Sequence, residues 1–136
     1  MQTALLLIIG ILGAIIGSFS NVCIYRIPKK ESIVWPSSHC PACSHPLNTL
    51  DLIPVFSFIF LRGRCRYCKA HISWRYPVVE LLTAVLWILA WLKFGLSLEF
   101  LSAAVFLSLG IIITFIDLDL QTIPDVISLP GVVIGL

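Results

Sequence analysis

Three apolar runs, each close to the ~20 residues that cross a bilayer's hydrocarbon core, leave this chain few folds to choose from. Met1 to Phe19 is interrupted only by Gln2, Thr3 and Ser18, and the runs Tyr76 to Phe94 and Leu98 to Ile116 follow after a long polar interval. Hydrophobic residues make up 59% of the chain and charged residues 12%, against about 25% charged in a soluble domain. The first run lacks the charged n-region and small-residue cleavage site of a secretory signal, so it reads as a retained span. The expected fold is an all-α polytopic membrane protein, a transmembrane helix bundle with one small loop domain.

The polar interval carries the charge. Eight of the nine Lys and Arg lie between the first two spans, against only Glu31 and Asp51, a net +6 there. The link between spans two and three has Lys93 against Glu99. By the positive-inside rule the large loop is expected to be cytoplasmic, the N-terminus outside, and the end of the third span cytoplasmic again. Beside membrane spans, a basic loop reports topology or anionic lipid, so lipid is an expected partner and nucleic acid is not. Expected boundaries are a span over 1–19, the basic loop over 20–75, spans over 76–94 and 97–118, and the start of a further helix over 123–136. That last stretch holds only 14 residues and ends without a polar flank, so the chain is expected to be the front part of a longer protein.

Four of the five cysteines form two C-x-x-C pairs, Cys40 with Cys43 and Cys65 with Cys68, separated by 21 residues. Each pair supplies two of a metal's four tetrahedral positions, and two such knuckles close a four-cysteine site. Zinc suits four thiolates, and an iron centre of rubredoxin type is the rival. An all-thiolate site has no open coordination position, so its expected role is structural. His39, His45 and His71 flank the knuckles and are expected to face solvent or support the ligands rather than bind metal. Cys23 reads as a small buried apolar residue.

The run Gly17-Ser18-Phe19-Ser20-Asn21-Val22-Cys23-Ile24-Tyr25-Arg26-Ile27-Pro28 reads as a membrane exit. Ser18 and Asn21 would satisfy backbone groups there, with Tyr25 and Arg26 anchored at the headgroups. Leu50 to Leu61, a short apolar stretch containing Pro54, is expected to pack under the metal loop or lie at the interface. At the end of span three stand Asp117, Asp119 and, after Pro124, Asp125. Asp119 and Asp125 read as interfacial acids, Asp125 at a helix start that suits its charge. Successive helical residues turn about 100°, so Asp117 and Asp119 face nearly opposite sides. The deeper Asp117 is the candidate for a bundle-facing functional carboxylate.

Taken together, several motifs resemble the type IV prepilin leader peptidases. They are the Gly17–Val22 run with Tyr25-Arg26-Ile27-Pro28, the paired knuckles ending Arg62-Gly63-Arg64-Cys65-Arg66-Tyr67-Cys68, Arg75-Tyr76-Pro77-Val78-Val79-Glu80, and Ile116-Asp117 six residues before Ile123-Pro124-Asp125. The resemblance implies a bacterial inner-membrane aspartic endopeptidase that cleaves the leaders of prepilins and pseudopilins at the cytoplasmic face. It also implies methylation of the new N-terminus with S-adenosylmethionine. Asp117 matches the family's first catalytic aspartate, and Gly63 and Arg64 fall in the region associated with methyl transfer. The second aspartate of that family lies in a Gly-x-Gly-Asp motif that does not occur here, so these residues alone are expected to be inactive as a protease. The alternative from another class is a non-enzymatic membrane zinc module that recruits a partner through its basic loop. A zinc metalloprotease is disfavoured because there is no His-Glu-x-x-His helix.

Overall fold

The structure, a computed structural model, describes residues 1–120 and 125–135, with side chains described for 1–119 and 130–135. Helix α1 spans Gln2–Arg26, α2 Phe56–Phe60, α3 Arg75–Phe94, α4 Leu98–Leu120 and α5 Asp125–Gly135, with a short 3₁₀ turn over Thr49–Leu52. Apart from two isolated bridges, His39 with Pro46 and Arg64 with His71, the described residues form no strand. Three helices, Gln2–Arg26, Arg75–Phe94 and Leu98–Asp119, are long and apolar enough to cross a membrane. The Asp125 side chain, read from the sequence as a helix-start acid, lies outside the described residues.

Helix α1 continues seven residues past Phe19, through the run that the sequence suggested as an exit. Ser20 and Asn21 do not stop it because each donates a hydrogen bond to a backbone carbonyl. Ser20 returns its hydroxyl to the Ile16 carbonyl at 2.8 Å, one turn back, and Asn21 donates across the bundle to the Tyr76 carbonyl at 3.0 Å. Thr83 and Ser108 make the same one-turn return, to Val79 and Ala104, at 2.7 Å each.

Helices α1 and α3 pack antiparallel along a seam of glycines. A Cβ on Gly10 would meet Ile88, on Gly13 the Ala84 Cα at 2.8 Å, and on Gly17 the Glu80 Cα at 2.7 Å. Gly13 and Gly17 form a G-x-x-x-G pair, the spacing that lets two helix backbones approach closely. Helix α4 closes the bundle from the other side. Ile24 and Cys23 of α1 meet Val79 of α3 and Ile111, Ile112 and Ile116 of α4 in one cluster. Ile9, Ala90, Phe100 and Ala104 form a second, towards the opposite end. Trp87 Nε1 donates to Ser108 Oγ at 3.0 Å between them. Outward-facing Leu7, Ile11, Leu92 and Phe106 are all exposed, as a lipid-facing belt requires.

The loop between α1 and α3 is pinned at both ends. Arg26 is not a headgroup anchor: it is buried, and its guanidinium donates to the Ser32 carbonyl at 2.9 Å and reaches that of Ser37 at 3.5 Å. Folding back these two carbonyls satisfies donors that would otherwise need water. Further on, Pro54, Val55 and Phe56 make a γ-turn of the rare positive-φ form. Val55 sits at φ 63° and ψ −49°, and the Phe56 N–H returns to the Pro54 carbonyl at 2.6 Å. Helix α2 follows directly. Its Phe58 turns inward against Trp74, ring centroids 4.8 Å apart, while Phe56, Ile59 and Phe60 face outward.

Candidate metal centre and the adjoining cleft

The two knuckles are built alike. In the first, the Cys40 N–H bonds the His45 carbonyl at 3.0 Å and the Ser44 N–H bonds the Cys40 carbonyl at 2.8 Å. In the second, the Cys65 N–H bonds the Ala70 carbonyl at 2.9 Å and the Lys69 N–H bonds the Cys65 carbonyl at 3.1 Å. Each turn is completed by one residue with positive φ, Ser44 at 58° and Lys69 at 61°. Gly63, at φ 69°, sets up the second knuckle, and a Cβ there would press on the Phe58 ring at 3.1 Å. Asp51 joins the halves: it holds the Asn48 N–H at 3.1 Å and Arg66 Nε at 2.8 Å.

This construction brings all four sulfurs within 4.8 Å of one another, with Cys40 and Cys68 at 3.7 Å and Cys43 and Cys65 at 3.9 Å. A zinc–sulfur bond of about 2.3 Å in a tetrahedron requires sulfurs about 3.8 Å apart, so the four thiols fit a zinc ion. The Cys65 and Cys43 thiols are shifted in opposite directions. The N–H groups of Cys68 and Tyr67 hold the Cys65 thiol down to about 6. The His45 N–H lowers Cys43, but burial and the neighbouring thiols together outweigh it and push that thiol up to about 11. Metal binding requires thiolates, so a bound dication would favour the charged form of each ligand thiol. Cys40 and Cys65 are buried, Cys43 and Cys68 exposed. The three histidines stay outside the sulfur cluster. His45 stacks on Tyr67 with centroids 3.6 Å apart, and His39 and His71 are exposed in the paired bridges.

Beneath the knuckles, between them and the adjacent ends of α1 and α3, lies a cleft of about 640 Å³. Apolar groups such as Phe19, Val22 and Leu61 line it together with Asn21, Arg26, Arg75 and Glu80. Glu80 is 8% exposed, and its Oε2 accepts the Val55 N–H at 2.6 Å, tying the γ-turn to the bundle. Gly63 and Arg64 do not line this cleft: Gly63 is buried under Phe58 and Arg64 points outward.

At the end of α4, Ile116 takes the fully buried position, and Asp117 and Asp119 are both exposed. Two residues' rotation separates the acids, and neither enters the core. Asp119 Oδ2 meets Arg75 Nη1 at 2.6 Å, which fixes the end of α4 to the start of α3. Asp117 therefore lies at the same end of the bundle as the cysteine loop. Sequence reading missed Asn21 as an inter-helix donor, Glu80 as the loop's anchor and Arg75 as the partner of Asp119. The Gly13–Gly17 spacing was the available signal for the first two, because it predicts the close seam in which they sit.

Helix bundle, basic loop and four-cysteine knuckle define a membrane-helix protein with a cysteine-built metal module between its first two spans. A model of the bacterial peptidase A24 N-terminal domain matches residues 11–94. The chain belongs to that family. It is 44% identical over 126 residues to a prepilin leader peptidase/N-methyltransferase of Myxococcus xanthus (strain DK1622), an alignment covering 93% of this chain and 38% of the relative. It is 44% identical over 121 residues to one of Bacillus subtilis (strain 168), covering 89% and 49%. A type 4 prepilin-like proteins leader peptide-processing enzyme of Escherichia coli O78:H11 is 41% identical over 137 residues, covering 85% and 50%. The chain thus spans half or less of the length of these relatives. No solved structure matches it.

Proposed function

We propose that this chain supplies the N-terminal part of a membrane aspartic endopeptidase that removes leader peptides from prepilins and pseudopilins. The relatives' names support the substrate class, and one observation supports the placement of the chemistry. The Arg75–Asp119 contact holds the end of α4, and with it Asp117, beside the cysteine loop. In this reading Asp117 is the first of two carboxylates that share a proton, one activating water while the other protonates the scissile carbonyl. The exposed position of Asp117 leaves it open to a second carboxylate from outside these residues. Zinc on Cys40, Cys43, Cys65 and Cys68 shapes the loop and takes no part in hydrolysis. The basic loop and Asp117 face the cytoplasm, with the bundle in the inner membrane. N-methylation by S-adenosylmethionine belongs to the same reading: the cleft has the volume of a small-molecule site, and two of the relatives carry methyltransferase in their names.

The test is reconstitution. The purified 136-residue chain is incubated with a prepilin peptide alone, and then co-expressed with the C-terminal half of the Myxococcus relative. Cleavage is expected only from the combination, and Asp117→Asn is expected to abolish it. Cleavage by the chain alone, or by the Asp117→Asn combination, overturns the two-aspartate reading.

A further inference from the structure

Helix α2 is inside out for a segment of a polar loop. From Leu52 to Leu61 the chain carries no charge, and Ser57 has the only polar side chain. Ser57 lines the cleft beneath the knuckles, whereas Phe56, Ile59 and Phe60 are 64%, 63% and 84% exposed. Water is the wrong solvent for that arrangement: the hydroxyl faces inward while three large apolar side chains, left uncovered by the described residues, face outward.

Two contacts fix the height of α2 against the spans. Val55, the residue before α2, is bonded to Glu80, and Glu80 lies five residues after Arg75, the start of α3. At the rise of an α-helix that places the bond about 7 Å along α3 from its first residue. Phe58, in the middle of α2, packs against Trp74, the residue immediately before α3. Helix α2 therefore stands beside the first turns of a helix that is long and apolar enough to span, at the depth where headgroups give way to acyl chains. Trp74 is itself 74% exposed, and tryptophan favours that boundary.

The chain leaves α2 through Arg62, Gly63 and Arg64. Both arginines are exposed and neither forms an ion pair among the described residues, unlike Arg66, held by Asp51, and Arg75, held by Asp119. Uncompensated guanidinium groups at the rim of an uncharged apolar face suit a surface helix on anionic headgroups. A second copy of the chain would also cover apolar side chains. It would not account for a face set level with the start of a span and edged with cations.

We infer that α2 is an interfacial anchor. Phe56, Ile59 and Phe60 enter the leaflet that borders the cysteine loop, and Arg62 and Arg64 take the phosphates of anionic lipid there. The loop then rests on the bilayer through its own side chains, besides hanging from the two spans. This holds whichever way the bundle is inserted and whether or not the protein is a protease.

The full 136-residue chain, loaded with zinc, is reconstituted in vesicles of equimolar phosphatidylcholine and phosphatidylglycerol. In one preparation a photoreactive benzoyl-phenylalanine replaces Phe60, and in another it replaces Phe106, 70% exposed on α4 in the lipid-facing belt. After illumination, mass spectrometry reads what each position has captured. Lipid adducts are expected at both positions in comparable yield. Those at Phe60 are expected to be enriched about two- to fivefold in phosphatidylglycerol, the effect of about one basic side chain at an anionic surface, and those at Phe106 to follow the bulk ratio. Arg62→Gln combined with Arg64→Gln is expected to return the Phe60 adducts to the bulk ratio with zinc content unchanged. Lipid capture at Phe106 but not at Phe60 overturns the anchor. Capture of a second copy of the chain in place of lipid assigns the face to self-association and overturns it too. Equal capture of the two lipids at Phe60 with both arginines present, a comparison that needs no arginine variant, overturns the headgroup contact.

Discussion

Val55 donates its backbone N–H to Glu80 Oε2 at 2.6 Å from a conformation, φ 63° and ψ −49°, that β-branched residues rarely adopt. The strain of the turn and the anchoring of the loop are thus the same contact. A carboxylate on a bundle helix holds the connecting segment where it must reverse.

Replacing Val55 by glycine removes the steric part of that strain while keeping the N–H. The expected outcome is a loop more stable by on the order of 1 kcal/mol, less the glycine's added entropy when unfolded. Glu80→Ala instead leaves the turn's N–H unanswered and is expected to cost about 1–3 kcal/mol. Amide hydrogen exchange over residues 53–60 reads both: slower or unchanged for Val55→Gly, faster for Glu80→Ala.

The glycine seam makes a graded prediction. Gly17→Leu and Gly13→Leu drive side-chain atoms into the backbone of α3 and are expected to cost about 1–3 kcal/mol or more. Gly10→Ala meets only the tip of Ile88 and is expected to be mild, and Gly110→Ala meets nothing within 4 Å. Thermal unfolding in detergent should rank them in that order. Equal tolerance at Gly17 and Gly110 would show that α1 and α3 do not pack as described.

Metal removal separates the loop from the bundle. Cys40→Ser or Cys65→Ser is expected to abolish stoichiometric zinc and open the loop to protease, while far-ultraviolet circular dichroism still reports the membrane helices. Zinc content unchanged in either variant would refute the four-sulfur site.

The Arg75–Asp119 pair is expected to matter for position more than for stability. Its side chains are 22% and 47% exposed, and pairs so open to solvent contribute at most about 1 kcal/mol. Asp119→Asn should therefore leave unfolding nearly unchanged but broaden the distance distribution between spin labels at the ends of α3 and α4. An unaltered distribution would mean that the contact does not hold the α4 end in place.

Hydropathy and cysteine spacing made the main architecture legible because both signals are local and additive. The three long apolar helices and the four-sulfur cluster stand where such signals put them. What escaped depends on pairs of residues far apart in sequence. Helix α1 runs on to Arg26 because Asn21 finds Tyr76, 55 residues away, and no local count of polar residues contains that bond. Arg26 reads as a headgroup anchor by residue type, yet the carbonyls of Ser32 and Ser37 draw it inward. Asp117 is singled out by depth along the helix, but Ile116 takes the buried position and leaves Asp117 exposed. Glu80 accepts the N–H of Val55, 25 residues away, a bond that no local signal contains.

The two knuckles belong mechanically to different helices, the first reached from α1 and the second leading into α3. With the glycine seam clamped below and a metal ion joining the knuckles above, the backbone forms a closed frame around the cleft. Without such an ion the frame would become an open fork, its two prongs joined only through the loop. A metal ion held by the four cysteines would then decide whether the chamber beneath it has a roof.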